Sequence, residues 1–238
     1  MLGCGCEVCR SADPRDTRLR CSSLLELDGL RLLIDCGPDF RAQALRHDIT
    51  SVDAVLLTHE HYDHVGGLDD VRPLGNTHIY GEERVLDAVR RVMPYCFGEN
   101  KYPGSPTITL HEAIPAEPFR IEKDGRSLEI MPLRVMHNRL PILGYRIGNL
   151  AYITDASLLP AETVEMLRGV KTLIINALQI PAHPAHFSLS ESIGMAREIG
   201  AEQTYFIHFS HKIGLHAITD AALPEGMHLA YDNLTVNL

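Results

Sequence analysis

Apolar and polar positions alternate through SSLLELDGLRLLIDCG (22–37), with an Asp-Gly pair between the two runs. This predicts a β-hairpin, because Asp-Gly supplies the positive-φ pair that a two-residue turn needs. PDFRAQALRHD follows with apolar residues at helical spacing and Pro38 at the first helical position, so it predicts a helix. VDAVLLTH (52–59) reads as a short buried strand, THIYG (77–81) as another, and EERVLDAVRRVM (82–93) as a helix with one charged and one apolar face. CFGENKYPGSPTITL (96–110), rich in Gly and Pro, reads as an irregular insertion. Strands are predicted at LEIMPLRVMH, LGYRIG, LAYITD, TLIINAL and QTYFIHF, helices at PAETVEMLRG and SLSESIGMAREIG, and a last helix and strand near the end. Early strands followed by β-α alternation predict an α/β architecture of sheets faced by helices.

The chain has 238 residues, enough for one large domain with a substantial core, and a single domain over 1–238 is expected, opened by a cysteine-rich segment at 1–21. Usage is ordinary for a globular protein, at 45% apolar and 22% charged, and no apolar run approaches the roughly 20 residues of a membrane helix. The opening MLGCGCEVC lacks the basic and apolar segments of a secretory signal, so a cytoplasmic location is expected. A formal charge of −9 disfavours extended nucleic acid, which needs clustered Lys and Arg.

The chemistry gathers behind the strand VDAVLLTH. HEHYDH places His59, His61, Asp63 and His64 on one turn. His59 and His61 alternate with Glu60 and face one way, while entry into a helix brings Asp63 and His64 round toward a second point, so one turn feeds two metals about 3.5–4 Å apart. His137, Asp155 and His208 each end an apolar run, at strand ends where ligands from distant sequence converge.

With these residues in place the chain resembles the metallo-β-lactamase superfamily, whose H-x-H-x-D-H motif stands unaltered at His59 to His64. The resemblance covers nearly the whole chain. It implies an α/β, four-layer αββα sandwich and two divalent metals, Zn²⁺ or Mn²⁺. One metal would take His59, His61 and His137, the other Asp63, His64 and His208, with Asp155 bridging and a hydroxide held between them. Asp35, at the end of LLIDCG, matches a carboxylate that orients a ligand histidine in such folds. Relatives usually carry a further strand and a Gly-rich loop before the first cysteine, whereas this chain begins at Met1-Leu2-Gly3, so either the start is truncated or the usual first strand is missing.

GCGCEVC supplies Cys4, Cys6 and Cys9, three thiolates for a tetrahedral zinc that needs a fourth ligand. This spacing resembles the phosphodiesterase branch associated with the carbon–phosphorus lyase pathway, the PhnP-like proteins. In that branch a structural zinc takes the cysteines and a C-terminal histidine, here His211, three residues after His208. Cys21 competes for the fourth place, and His216 more weakly. Cys21, Cys36 and Cys96 otherwise read as reduced thiols. The branch also implies that His186, in PAHFSLSES, contacts the phosphoryl group or protonates the leaving oxygen, with His183 as rival. His186, Asp63 and Asp155 are thus the expected catalytic residues.

The function this implies is metal-dependent hydrolysis of small, often cyclic, phosphodiesters, such as phosphoribosyl cyclic phosphate or 2′,3′-cyclic nucleotides. The partner is that substrate, with no membrane, and the insertion Cys96–Pro106 is expected to shape the pocket or a homodimer contact. Two alternatives share the motifs: a transfer-RNA 3′-processing nuclease, and a non-hydrolytic carrier of the pyrroloquinoline quinone biosynthesis type. The complete ligand set argues against the second.

Overall fold

The computed structural model describes residues 1–98 and 101–238. It divides into two compact units, Arg20–Pro132 and the combination of Met1–Leu19 with Leu133–Leu238.

In Arg20–Pro132, β1 (Ser23–Leu27) and β2 (Leu30–Ile34) pair antiparallel with Leu27 opposite Leu30. Asp28 and Gly29 turn the chain at φ of 50° and 73°, the conformation the Asp-Gly signal predicted. β3 (Ala54–Leu56), β4 (Asn76–Gly81) and β5 (Thr107–Glu112) add parallel strands in the order β1-β2-β3-β4-β5. α1 (Phe40–Arg46) begins two residues beyond Pro38, because the Phe40 N–H turns back onto the Gly37 carbonyl at 3.0 Å and Pro38 sits inside that turn. α2 (Tyr62–Val65) is a single turn, and α3 (Glu83–Val92) is the predicted two-faced helix. Val85, Leu86 and Val89 of α3 pack on Val55, Leu57 and Ile79 of the sheet, each fully buried side chain contributing about 1.5–3 kcal/mol.

Two elements here depart from expectation. The stretch 96–110 was expected to be irregular throughout, yet β5 starts at Thr107 and pairs with β4 along Asn76–Gly81. Its glycines and prolines end at Pro106, and TITL beyond them alternates as a strand should. Within the same expected insertion, residues 99–100 lie outside the described residues. β6 (Phe119–Lys123) and the start of β7 (Arg126–His137) form a hairpin around Asp124 and Gly125, at φ of 52° and 76°, a second Asp-Gly turn unread in the sequence.

The other unit takes over within β7 and adds β8 (Leu140–Ile147), β9 (Leu150–Ile153), β10 (Thr172–Asn176), β11 (Gln203–Ile207) and β12 (Met227–Leu229), in that spatial order. β8 and β9 are antiparallel, whereas β9 to β12 run parallel. α4 (Ala161–Met166), α5 (Leu189–Ile199) and α6 (His216–Ala221) supply the connections and flank. α5 starts in a capping box, with Ser188 and Glu191 each satisfying a backbone N–H of the other, and stops at Gly200 at φ 77°. Tyr145, Tyr152 and Phe206 are fully buried in this core. The architecture is therefore mixed α/β with two sheets, as the β-α alternation predicts. No helix among the described residues is long and apolar enough to cross a membrane.

Candidate metal centres

In Arg20–Pro132, parallel pairing of β2 with β3 sets Ile34 opposite Leu56, so the residues that leave these strands emerge at one rim. The Asp35 N–H reaches the Leu56 carbonyl at 3.0 Å, and Asp35 itself is fully buried. Its carboxylate accepts from the Thr58 N–H at 2.8 Å, from the Thr58 hydroxyl at 2.9 Å, and from His64 Nδ1 at 2.7 Å. A carboxylate without its proton only accepts, so His64 carries hydrogen on Nδ1 and its lone pair on Nε2. The His59 ring lies 4.5 Å from that of His61 and 4.2 Å from that of His64, centre to centre. Asp63 Oδ2 stands 3.5 Å from His64 Nε2. One turn thus gathers the motif's imidazoles and brings Asp63 beside them.

Close backbone packing holds that turn. The Cys36 N–H donates to the His64 carbonyl at 2.7 Å, and the Gly67 N–H to the Cys36 carbonyl at 2.9 Å. A side chain at Gly37 would place its Cβ 2.2 Å from the Asp63 carbonyl oxygen, so only glycine fits. Arg84 of α3 pairs with Glu60, the residue between His59 and His61.

In the other unit, His137 closes β7 and donates Nδ1–H to the Ala185 carbonyl at 2.7 Å, which again leaves the lone pair on Nε2. Asp155 and His208 follow the parallel strands β9 and β11, and both take a left-handed backbone, at φ of 52° and 53°. Asn176, at the end of β10 between them, accepts from the Ala156 N–H at 2.7 Å and donates to the Ala156 carbonyl at 3.0 Å. The Thr154 hydroxyl donates to Asp155 Oδ1 at 2.7 Å. Sequence reasoning missed Asn176, Thr154 and Thr58. The signal for Thr58 and Thr154 was a hydroxyl residue immediately before a candidate ligand; Asn176 carried none.

The same unit brings Asp155, His186 and His208 together, with a donor atom from each within 4.8 Å of the others. His208 Nε2 is 3.3 Å from Asp155 Oδ1, and His186 Nδ1 is 3.9 Å from Asp155 Oδ2. The His186 ring sits 4.6 Å from that of His137 and 5.2 Å from that of His208. Burial pushes the His186 imidazole down to about 4, with the neighbouring imidazoles adding to the fall and Asp155 opposing it. The ring is therefore neutral near pH 7 and offers one N–H. His183, its rival, lies 5.2 Å from it and uses Nδ1 to accept from the Ala185 N–H at 3.3 Å.

A separate cluster forms from Cys4, Cys6, Cys9 and His211. His211 Nδ1 stands 3.4, 3.3 and 3.4 Å from the three sulfurs. Ligand bonds of 2.3 Å to sulfur and 2.0–2.1 Å to nitrogen give a tetrahedral S···N edge of about 3.5–3.6 Å, close to this spacing. The Cys9 backbone N–H, then the His211 ring, holds the Cys6 thiol down at about 6, so much of it is already thiolate near neutrality. This donor set fits zinc. Cys21 and His216 lie outside the group. His216 is buried elsewhere, its N–H on Asp16 at 2.8 Å and its Nε2 on the Leu229 carbonyl at 3.1 Å. None of the six cysteines, all among the described residues, is in a disulfide, and burial raises the Cys36 thiol.

The Beta-lactamase superfamily domain is matched over residues 30–209. The chain belongs to the metallo-β-lactamase superfamily. A crystal structure described as a new diphosphatase from the PhnP family superposes with a TM-score of 0.89 at 38% identity, over 100% of this chain and 91% of that one, which places the chain in the PhnP-like branch. Over 98% of its length the chain is 46% identical to an octanoyltransferase of Porphyromonas gingivalis, but it spans only 48% of that protein. It is also 28% identical to a ribonuclease Z of Methanopyrus kandleri, over 85% of each. The two-sheet α/β architecture is the metallo-β-lactamase fold, and it implies divalent metal use. The oriented imidazoles fit that use, since His64 and His137 both hold hydrogen on Nδ1 and so present Nε2. The relatives that the chain matches over most of their own length, a diphosphatase and a ribonuclease Z, are both hydrolases by name.

Proposed function

We propose that the protein is a dinuclear metal-dependent phosphodiesterase acting on small cyclic phosphodiesters, such as phosphoribosyl cyclic phosphate or 2′,3′-cyclic nucleotides. In this reading His59, His61 and His137 hold one metal, Asp63, His64 and His208 the other, and Asp155 serves both. The observation that carries it is the polarised pair of imidazoles: His64 on the Asp35 carboxylate and His137 on the Ala185 carbonyl, each at 2.7 Å. That arrangement fixes ring tautomers as metal ligands require. Two bound metals would supply a water that ionises near neutrality and charge to stabilise the phosphoryl transition state. His186, neutral and half-buried beside Asp155, would donate its single N–H to a phosphoryl or leaving-group oxygen. A third metal, zinc, would be structural at Cys4, Cys6, Cys9 and His211, a thiolate set suited to the reducing cytoplasm.

A second reading, cleavage of a phosphoric anhydride, is favoured by the diphosphatase to which the chain is 38% identical. Transfer-RNA processing is disfavoured by the formal charge of −9. Acyl transfer is not carried over from the octanoyltransferase, because the chain spans only 48% of that protein.

The test is elemental analysis of purified protein together with hydrolysis of bis(p-nitrophenyl) phosphate, a 2′,3′-cyclic nucleotide and a dinucleoside diphosphate, with Zn²⁺ and Mn²⁺ added separately. About three metals per chain with diester turnover is expected. Turnover of the diphosphate alone favours the second reading. Metal binding with no turnover of any of these refutes both.

A further inference from the structure

The Asp35 carboxylate meets one candidate ligand directly and a second through a hydroxyl. Thr58 is fully buried, and its Oγ1 lies 2.9 and 3.1 Å from the two Asp35 oxygens and 3.0 Å from His59 Nδ1. The Thr58 backbone N–H also donates to Asp35 at 2.8 Å, so the side chain cannot swing away without leaving its neighbours behind.

Counting hydrogens decides the direction of these bonds. A hydroxyl has one hydrogen to give and lone pairs to receive, while an ionised carboxylate only receives. The Thr58 hydrogen therefore goes to Asp35. What remains for His59 Nδ1 is a hydroxyl lone pair, so the His59 nitrogen must be the donor. His59 is thereby held with hydrogen on Nδ1 and the lone pair on Nε2, the form that Asp35 imposes on His64 without an intermediary.

We propose that Thr58 is a positioning residue, a hydroxyl relay through which the single carboxylate of Asp35 sets the tautomer and ring orientation of His59 as well as His64. The H-x-H-x-D-H motif does not contain Thr58. The inference rests on reading His59 and His64 as metal ligands. A purely structural role, a buried hydroxyl capping Asp35, would leave His59 free to take either tautomer.

The experiment compares wild type with Thr58→Ser and Thr58→Val. Valine keeps the shape and removes the hydroxyl. Imidazole ¹⁵N resonances of the metal-free protein report the tautomer, and titration against a competing chelator reports affinity at each metal site. Wild type and Thr58→Ser are expected to show His59 with hydrogen on Nδ1. Thr58→Val is expected to lose that preference and to weaken the metal bound by His59 about 10–100-fold, with the cysteine-bound metal unchanged. His59 with hydrogen on Nε2 in wild type overturns the inference even if Thr58→Val does not fold. Unchanged tautomer and affinity in a folded Thr58→Val protein overturn it too, while leaving the proposed function standing. Wild-type protein that takes up metal only at the cysteines overturns that function, and this inference with it.

Discussion

His211 Nδ1 stands 3.3 Å from the sulfur of Cys6, a contact between residues 205 positions apart in sequence. It ties the irregular opening segment to the turn that follows β11, just beyond His208. A metal at this cluster would therefore anchor a segment with little apolar surface of its own, and metal binding would appear directly as stability.

His211→Ala is expected to release about one metal per chain and to lower the thermal midpoint, the loss of a structural zinc being a loss of folding free energy. Elemental analysis and calorimetry on the same preparation check it. An unchanged metal count with an unchanged midpoint would remove zinc from this cluster.

Cys6 gives a pH dependence. Its thiol lies at about 6 in the folded protein, below the ordinary thiol value near 8.5. A lowered folded value favours folding above the unfolded value, and that contribution fades as pH falls through about 6. In metal-free protein, alkylation of Cys6 should accordingly rise with a midpoint near pH 6, followed by mass spectrometry of the modified peptide. A midpoint near 8.5 would contradict the effect of the Cys9 N–H and the His211 ring.

His186→Ala is expected to keep every bound metal and slow turnover by about 10²–10³-fold, the usual range for a lost hydrogen-bond donor to a developing oxyanion. Metal content and kcat measured together separate this from ligation. If the variant loses a metal, His186 is a ligand instead.

Asn176→Ala removes both hydrogen bonds to the Ala156 backbone in a fully buried setting. Stranding those groups costs about 1–3 kcal/mol in stability, readable as a lower urea midpoint with unchanged slope. The neighbouring Asp155, at φ 52°, is also released, so weaker metal binding should accompany the loss. A stability change below about 0.5 kcal/mol, the range of an ordinary surface substitution, would show that the clamp is dispensable.

Gly37→Ala forces a Cβ against the Asp63 carbonyl, 2.2 Å away, and backbone cannot give way as a side-chain tip can. Expected outcomes are a destabilised protein and loss of metal at the histidine turn, measured by thermal melting and metal analysis. A variant with wild-type stability and metal content would mean the turn is looser than its packing implies.

Much of the fold was legible because its signals are local. The first hairpin announced itself through Asp28-Gly29, and α5 through Ser188 and Glu191, each being a short-range conformational preference. Where several signals overlap, the reading failed. Gly and Pro at 98–106 masked the start of β5, whose pairing with β4 is a tertiary contact, and Lys123–Arg126 carried an Asp-Gly turn that the longer apolar run beside it obscured. Pro38 promised a helix start, but the carbonyl of Gly37 drew Phe40 into a turn first.

The sequence by itself determined the chemical types present: a dense histidine turn, three cysteines at metal spacing, and polar residues ending apolar runs at His137, Asp155 and His208. Residue type and spacing are properties of neighbouring positions, so they survive without a fold. Only the tertiary structure decided which nitrogen of the His64 and His137 rings is protonated, that His211 and not Cys21 joins the cysteines, and that Thr58 and Asn176 hydrogen-bond beside the candidate ligands. Those outcomes depend on parallel strand register, which brings Asp35 beside Thr58 and Asn176 beside Ala156, and on left-handed backbone at Asp35, Asp155 and His208, at about 1–3 kcal/mol each. At these three positions no Asp-Gly pair calls for that conformation, as one does at Asp28 and Asp124. It persists because the surrounding hydrogen bonds over-determine it.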